Sequence, residues 1–265
     1  MLPRFVLASS LVIVSTWGCS GGGGNGSLTH DPAVPTADGR SNPGDADVPT
    51  GDSFYALFNT SKGNVIVEVN PDWAPVGAQR FKELVNASFY DDCRFFRVIE
   101  GFMVQVGMNG DPAVGAMWAD SQMVDDPVLV SNTRGRVTFA KTGLPNSRTT
   151  QIFFNYGDNS QLDGQGFAPF GEVIEGMEVL ESLYGGYGEG APNGAGPSQD
   201  LIRTRGNEYL IASFPKLDHI ETARIYETEE AARAALSGSS EPAGDAATTS
   251  DAADETPGEE TTANE

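Results

Sequence analysis

Arg97 stands between Phe96 and Val98 in the run FFRVI (residues 95–99). A guanidinium among aromatic and branched side chains is either a paired structural charge or a working one. Spacing alone favours the structural reading. The run FMVQVG (102–107) follows after Glu100-Gly101. Read as a strand, it turns Met103 and Gln105 to the same face, an apolar thioether beside an amide, with Phe102 at the strand entrance. The chemistry on offer is a permanently charged fork of donors next to an apolar surface.

Other chemistries find little support. The two histidines, His30 and His219, fall near the edges of the foldable region, which disfavours a central His base. The two cysteines, Cys19 and Cys93, supply neither a disulfide framework nor a Cys-based metal site. No G-x-S-x-G elbow occurs. The glycine-rich stretches 107–115 and 185–196 lack the strand–loop–helix context and the Lys-Ser/Thr of a phosphate cradle, and read as flexible surface loops. Residues 158–164, DNSQLDG, resemble a calcium loop but place Leu162 where a ligand should stand and lack the terminal Glu. No metal or cofactor is expected.

These residues need a scaffold, and short β-rich runs between turn signals supply one. Strands are expected at 54–60, 64–69, 95–99, 103–107, 128–131, 136–141, 151–155, 170–174 and 220–226. Ser61-Lys62-Gly63 marks a hairpin between the first two. Pro75 fits a first helical turn, and Ala78, Phe81, Leu84 and Val85 continue at helical spacing to about Asn86. A second short helix is expected at 177–183. Short strands with frequent turns and two helices imply a mainly β fold, a closed antiparallel barrel capped by two α-helices.

The 95–107 stretch, with Phe95-Phe96-Arg97-Val98-Ile99, Gly101-Phe102-Met103-Val104-Gln105 and Gly107, resembles the active-site signature of cyclophilins, the peptidyl-prolyl cis-trans isomerases. Thr138-Phe139-Ala140-Lys141, Gln151-Ile152-Phe153-Phe154, Leu162-Asp163-Gly164 and Phe170-Gly171-Glu172-Val173 are similar to later family segments and follow in the right order. The resemblance spans about 54–226 and weakens after Leu183. It implies an eight-stranded barrel and rotation about X-Pro bonds, a reaction that needs no cofactor. It makes Arg97 the catalytic arginine, with Gln105 and Gln151 positioning it and holding the peptide backbone. Phe102, Met103, Phe153 and Leu162 become the walls of a proline pocket, and Ala140, Lys141 and Phe167 line the groove. Lys141 stands where many relatives have Asn, Gln161 where Trp or Phe is frequent, and Phe167 where His or Tyr is frequent. A non-catalytic binding module on the same fold is the main rival reading.

The two ends have a different composition. Residues 1–19, MLPRFVLASSLVIVSTWGC, combine Arg4, an apolar run too short to span a bilayer as a mature helix, and Gly18-Cys19. They resemble a bacterial lipoprotein signal, which implies lipidation of Cys19, although Thr16 replaces the usual Leu. Residues 20–52 read as a disordered Gly/Pro/Asp-rich linker and 53–226 as the isomerase domain. Residues 227–265, with eleven acids against Arg233, read as a disordered acidic tail in which 229–236 allows a short helix. A net charge of -21 repels phosphate backbones and excludes nucleic acid as a natural partner. The expected partners are proline-containing polypeptides. A membrane is expected only through Cys19, placing an exported monomer in the cell envelope.

Overall fold

The computed structural model describes residues 51–237. The signal segment with Cys19, linker residues 20–50 and tail residues 238–265 lie outside them. Eight strands form one antiparallel sheet: β1 Phe54–Thr60, β2 Gly63–Val69, β3 Arg97–Ile99, β4 Met103–Val106, β5 Arg136–Phe139, β6 Ile152–Asn155, β7 Pro169–Glu175 and β8 Ile220–Tyr226. Their order across the sheet is β3-β4-β6-β5-β7-β2-β1-β8. The sheet curls until the leads into its two end strands meet. Arg94 and His219 form an antiparallel bridge, Phe95 N donates to Asp218 O at 3.0 Å, and Ile220 N donates to Cys93 O at 2.9 Å.

The inner face follows from alternation. Ala56, Phe58, Val65, Val67, Val104, Val106, Val137, Phe139, Ile152 and Phe154 point into one core and are fully or almost fully buried. Helix α1, Pro75–Asn86, seals it with Ala78, Phe81, Leu84 and Val85. Phe81 packs on Phe170 with ring centroids 5.0 Å apart. Cys93 is buried in the same core. Burial, then the nearby Asp92 and Asp91, raises its thiol pKa well above the ordinary range, so little of the reactive thiolate forms.

Helix α1 has no side-chain cap of its own, because Ala74 occupies the N-cap. Asp126, fifty residues on, takes that role. Its Oδ1 accepts from Val76 N at 3.0 Å and its Oδ2 from Gly77 N at 2.9 Å. Arg148 Nη1 lies 2.9 Å from the same Oδ2, in a pair whose side chains are 2 % and 1 % exposed.

Three expectations are corrected. Residues 128–131 form no strand. Ser131 and Asn132 are engaged by the Asp163 carboxylate instead of by a neighbouring strand. Beside α1, the second expected helix is α3, Met177–Glu181, and the helix allowed in the tail is α5, Glu229–Ser237; the described residues add two that were not expected, α2 Pro112–Trp118 and α4 Gln199–Ser213. Helix α2 begins inside one glycine-rich stretch, where Asp111 Oδ1 caps Ala113 N at 2.8 Å. Helix α4 kinks at Gly206, beyond which Asn207 N donates to Gly110 O beside α2. The first part of the expected disordered tail is ordered: α5 packs on the outer face of the sheet, burying Ala232 against Leu57 and Ile66.

Asp126→Ala removes the cap of α1 and the nearer of two carboxylates beside the buried Arg148, leaving Asp125 Oδ1 at 3.3 Å, so it should lower stability by about 3 kcal/mol. Urea unfolding measures this. A loss under about 1 kcal/mol would mean that the start of α1 does not depend on Asp126.

Candidate functional site

The site stands on the outer face of β3, β4 and β6, back to back with the core. Register pairs Arg97 with Gln105, Ile99 with Met103, and Gln105 with Phe153. Since Val98, Val104 and Phe154 point inward, these partners point outward.

They divide into an apolar cup and a polar strip. Met103, Phe153 and Leu162 form a buried cluster separate from the core, with Ile99, Phe102, Ala140 and Phe167 packed around it. Phe167 meets Phe153 edge to face, centroids 5.8 Å apart. Along the strip Arg97 Nη1 donates to Gln105 Oε1 at 3.1 Å, Gln105 Nε2 to Gln151 Oε1 at 2.7 Å, and Gln151 Nε2 to Gln199 Oε1 at 3.2 Å. The second guanidinium nitrogen, Arg97 Nη2, donates to Glu189 Oε2 at 2.7 Å. Arg97 borders the cup: Nη1 is 3.9 Å from Met103 Sδ and Cζ is 6.0 Å from the Phe102 ring centre.

A polar lock behind the cup holds its far wall. Asp163 accepts from Ser131 Oγ at 2.5 Å, from Asn132 N at 3.0 Å and from Asn132 Nδ2 at 2.7 Å. Asn132 Nδ2 also reaches Phe167 O at 2.8 Å, and Asn159 Nδ2 reaches Phe102 O at 2.8 Å. The short 3₁₀ turn Ser160–Gln165, which carries Leu162, is thereby tied to the entrance of β4. Partial burial alone would raise the Asp163 pKa, but the bonds from Ser131 and Asn132 outweigh it and hold the carboxyl below its ordinary value. The DNSQLDG stretch is thus engaged in a structural lock.

Ten of the eleven sequence-predicted site residues lie together; Cys19 is outside the described residues. Arg97, Gln105 and Gln151 form the strip, and Phe102, Met103, Ala140, Phe153, Leu162 and Phe167 belong to the cup. Lys141 sits at the border, its Nζ 3.5 Å from Asp125 Oδ2 and 5.8 Å from the Phe167 ring centre. Gln161 is exposed and builds no wall. A cleft of about 640 Å³ opens beside the cup; Gln105, Ala140, Lys141 and Gln151 line one side, and Trp118 of α2 and Gln199 of α4 are among those on the other. Three contributors were missed. Ile99 lies in the recognised run but was given no role. Glu189 was hidden in a glycine-rich stretch read as a surface loop. Gln199 begins a helix that no clear apolar periodicity announces. Among the described residues no group of three or more His, Cys, Asp or Glu side chains is placed to share a metal ion.

Comparison with known proteins gives this geometry its family. Residues 55–201 match the family described as cyclophilin type peptidyl-prolyl cis-trans isomerase/CLD, and the chain belongs to that family. It is similar to peptidyl-prolyl cis-trans isomerase A of Dickeya dadantii, 39% identical over 136 residues, covering 49% of this chain and 71% of that one. It is also similar to peptidyl-prolyl cis-trans isomerase B of Escherichia coli, 30% identical over 159 residues, covering 55% and 93%. Among solved structures, a cyclophilin type isomerase from Cryptosporidium parvum aligns with a TM-score of 0.48 at 20% identity, covering 66% of this chain and 99% of that chain. The chain is a cyclophilin-type peptidyl-prolyl cis-trans isomerase.

The lowered Asp163 pKa has a definite sign. Its stabilisation is complete above the ordinary carboxylate value of 3.8 and is lost as pH falls through the lower folded value. Between pH 7 and pH 3 the urea midpoint of the wild type should therefore fall further than that of Asp163→Asn. Equal falls would remove Asp163 from the acid response.

Proposed function

We propose that Arg97 catalyses rotation about X-Pro bonds in polypeptides by donating hydrogen bonds to the twisted amide while the cup holds the proline ring. The observation that carries this reading is the position of the Arg97 guanidinium, fixed at Nη1 by Gln105 and set against Met103 and Phe102 at the rim of an apolar cluster isolated from the core.

The reaction explains why such a site suffices. Lone-pair donation from nitrogen to the carbonyl gives the peptide bond a rotation barrier of about 18–20 kcal/mol. For X-Pro bonds the trans preference narrows to about 0.5–1 kcal/mol, yet exchange still takes tens to hundreds of seconds. Met103, Phe153, Leu162, Phe102 and Phe167 would grip the ring on its apolar faces while the acyl side turns. The guanidinium would donate to the prolyl carbonyl or towards the pyramidalising nitrogen. It would then bind the twisted state more tightly than either planar one. Each 1.36 kcal/mol of that difference is worth about tenfold in rate. Gln105 and Gln151 hold the arginine and offer amides to the peptide backbone, and Ala140 and Lys141 border its path.

Arg97→Ala should lower kcat/KM on a prolyl peptide by about 10² with the far-UV spectrum and unfolding midpoint unchanged. Arg97→Lys should recover little, because an ammonium cannot reproduce the planar fork. An NMR exchange or protease-coupled assay measures both. Full turnover in Arg97→Ala would leave the binding-module reading in its place.

The same proposal extends to place. Residues 1–19 support export and a lipid anchor at Cys19, so that the isomerase would assist proteins folding in the cell envelope. Labelled fatty acid should enter the full chain in a bacterial host and fail to enter Cys19→Ala. Equal labelling of both would exclude Cys19 as the anchor.

A further inference from the structure

The segment 185–196, GGYGEGAPNGAG, has the composition of a flexible loop, yet its backbone closes on itself. Gly190 and Gly196 form a bridge. Gly196 N donates to Glu189 O at 2.8 Å, Gly194 N to Gly190 O at 3.0 Å, and Ala191 N to Gly196 O at 3.2 Å. A Cβ at position 194 would lie 2.2 Å from Glu189 O, and one at 196 would lie 2.8 Å from it, so the ring closes only around glycine. Tyr187 anchors its start, meeting Tyr184 and Phe214 edge to face with centroids 5.0 Å away in each case. After the ring, α4 seats Ile202, Tyr209 and Leu210 in a second apolar cluster that includes Phe96, the chain neighbour of Arg97.

From this frame two side chains enter the polar strip at opposite ends. Glu189 Oε2 takes Arg97 Nη2 while its Oε1 accepts from Gly190 N at 3.0 Å. Gln199 Oε1 takes Gln151. The complete series is Glu189–Arg97–Gln105–Gln151–Gln199, and both of its ends belong to the 185–213 excursion between α3 and β8.

We propose that Glu189 is a positioning residue for Arg97, presented by the glycine ring so that the guanidinium is held at both Nη atoms. With Gln105 alone, the planar group can pivot about a single hydrogen bond. With Glu189 as well, its plane is set and its remaining donors keep one direction over the cup. The side chains of Arg97 and Glu189 are 24 % and 39 % exposed, so the pair is worth little as a stability element and its effect is on orientation. This inference rests on Arg97 being the catalytic donor. The opposite role, a carboxylate occupying the donor edge that the substrate needs, would give activity changes of the opposite sign.

The test compares the full chain with Glu189→Ala and Glu189→Gln, measuring kcat and KM on one prolyl peptide and recording the NMR signals of the Arg97 guanidinium. Glu189→Ala should lower kcat about tenfold with KM within about twofold, and its Arg97 signals should broaden as the group becomes free to rotate. Glu189→Gln retains an acceptor oxygen and should recover most of kcat together with sharp signals. Unchanged or higher kcat/KM in Glu189→Ala overturns the proposal. So does a Glu189→Gln variant as impaired as Glu189→Ala, which would assign the effect to charge rather than orientation. A wild type without turnover would refute the isomerase reading of Arg97. The NMR signals alone would then decide the anchoring, with sharp signals in Glu189→Ala counting against it.

Discussion

Because successive side chains of a strand point to opposite faces, a β4 that sinks Val104 and Val106 into the core must turn Met103 and Gln105 outward. The neighbours obey the same rule. Burial of Val98 sets Arg97 and Ile99 on the outer face, and burial of Ile152 and Phe154 does the same for Phe153. The site therefore inherits its spacing from the core. A slip of one residue in the β3–β4 register would send the guanidinium inward and a valine into the strip. Folding and positioning are one problem here, solved by the same hydrogen-bond ladder.

That ladder supplies directions but leaves side chains free to rotate, and the remaining order comes from remote segments. Asn132 holds Asp163 of the turn that carries Leu162, and Asn159 at its start ties that turn to the entrance of β4. Asp126 and Arg148 perform the same service for α1, whose own sequence has no cap. The 185–213 excursion closes the polar strip from both ends. In each case a charged or amide side chain far away in sequence satisfies groups that the local chain leaves open.

Legibility followed the range of the interaction. Runs rich in strand-forming residues, such as 54–60 and 64–69, could be read directly, and so could α1 from its apolar spacing. The 95–107 run named the family and, through it, ten residues that the fold gathers. What depended on distant partners could not be read. Residues 128–131 have strand-like composition, but Ser131 at their end and Asn132 after it bond to Asp163. Helix α4 carries little amphipathic signal, since Gly206 divides it and its buried residues meet a cluster drawn from several elements. Glu189 was hidden because glycines that permit close approach look the same in sequence as glycines that permit disorder.

The closure between Arg94 and His219 has a further consequence. An open eight-stranded sheet would offer unpaired N–H and C=O groups along its end strands, a template on which another extended chain can pair. Here β3 is only three residues long, and the leads into β3 and β8 bond to each other. On β8 itself, Ala223 N donates to Asp91 Oδ1, and Arg224 closes over the same carboxylate. Pairing on an open edge is a hazard for any protein that encounters extended chains. The bonds between the two leads and the Asp91 contacts on β8 take up part of that template, so the sheet offers an extended chain less free edge than its strand number implies.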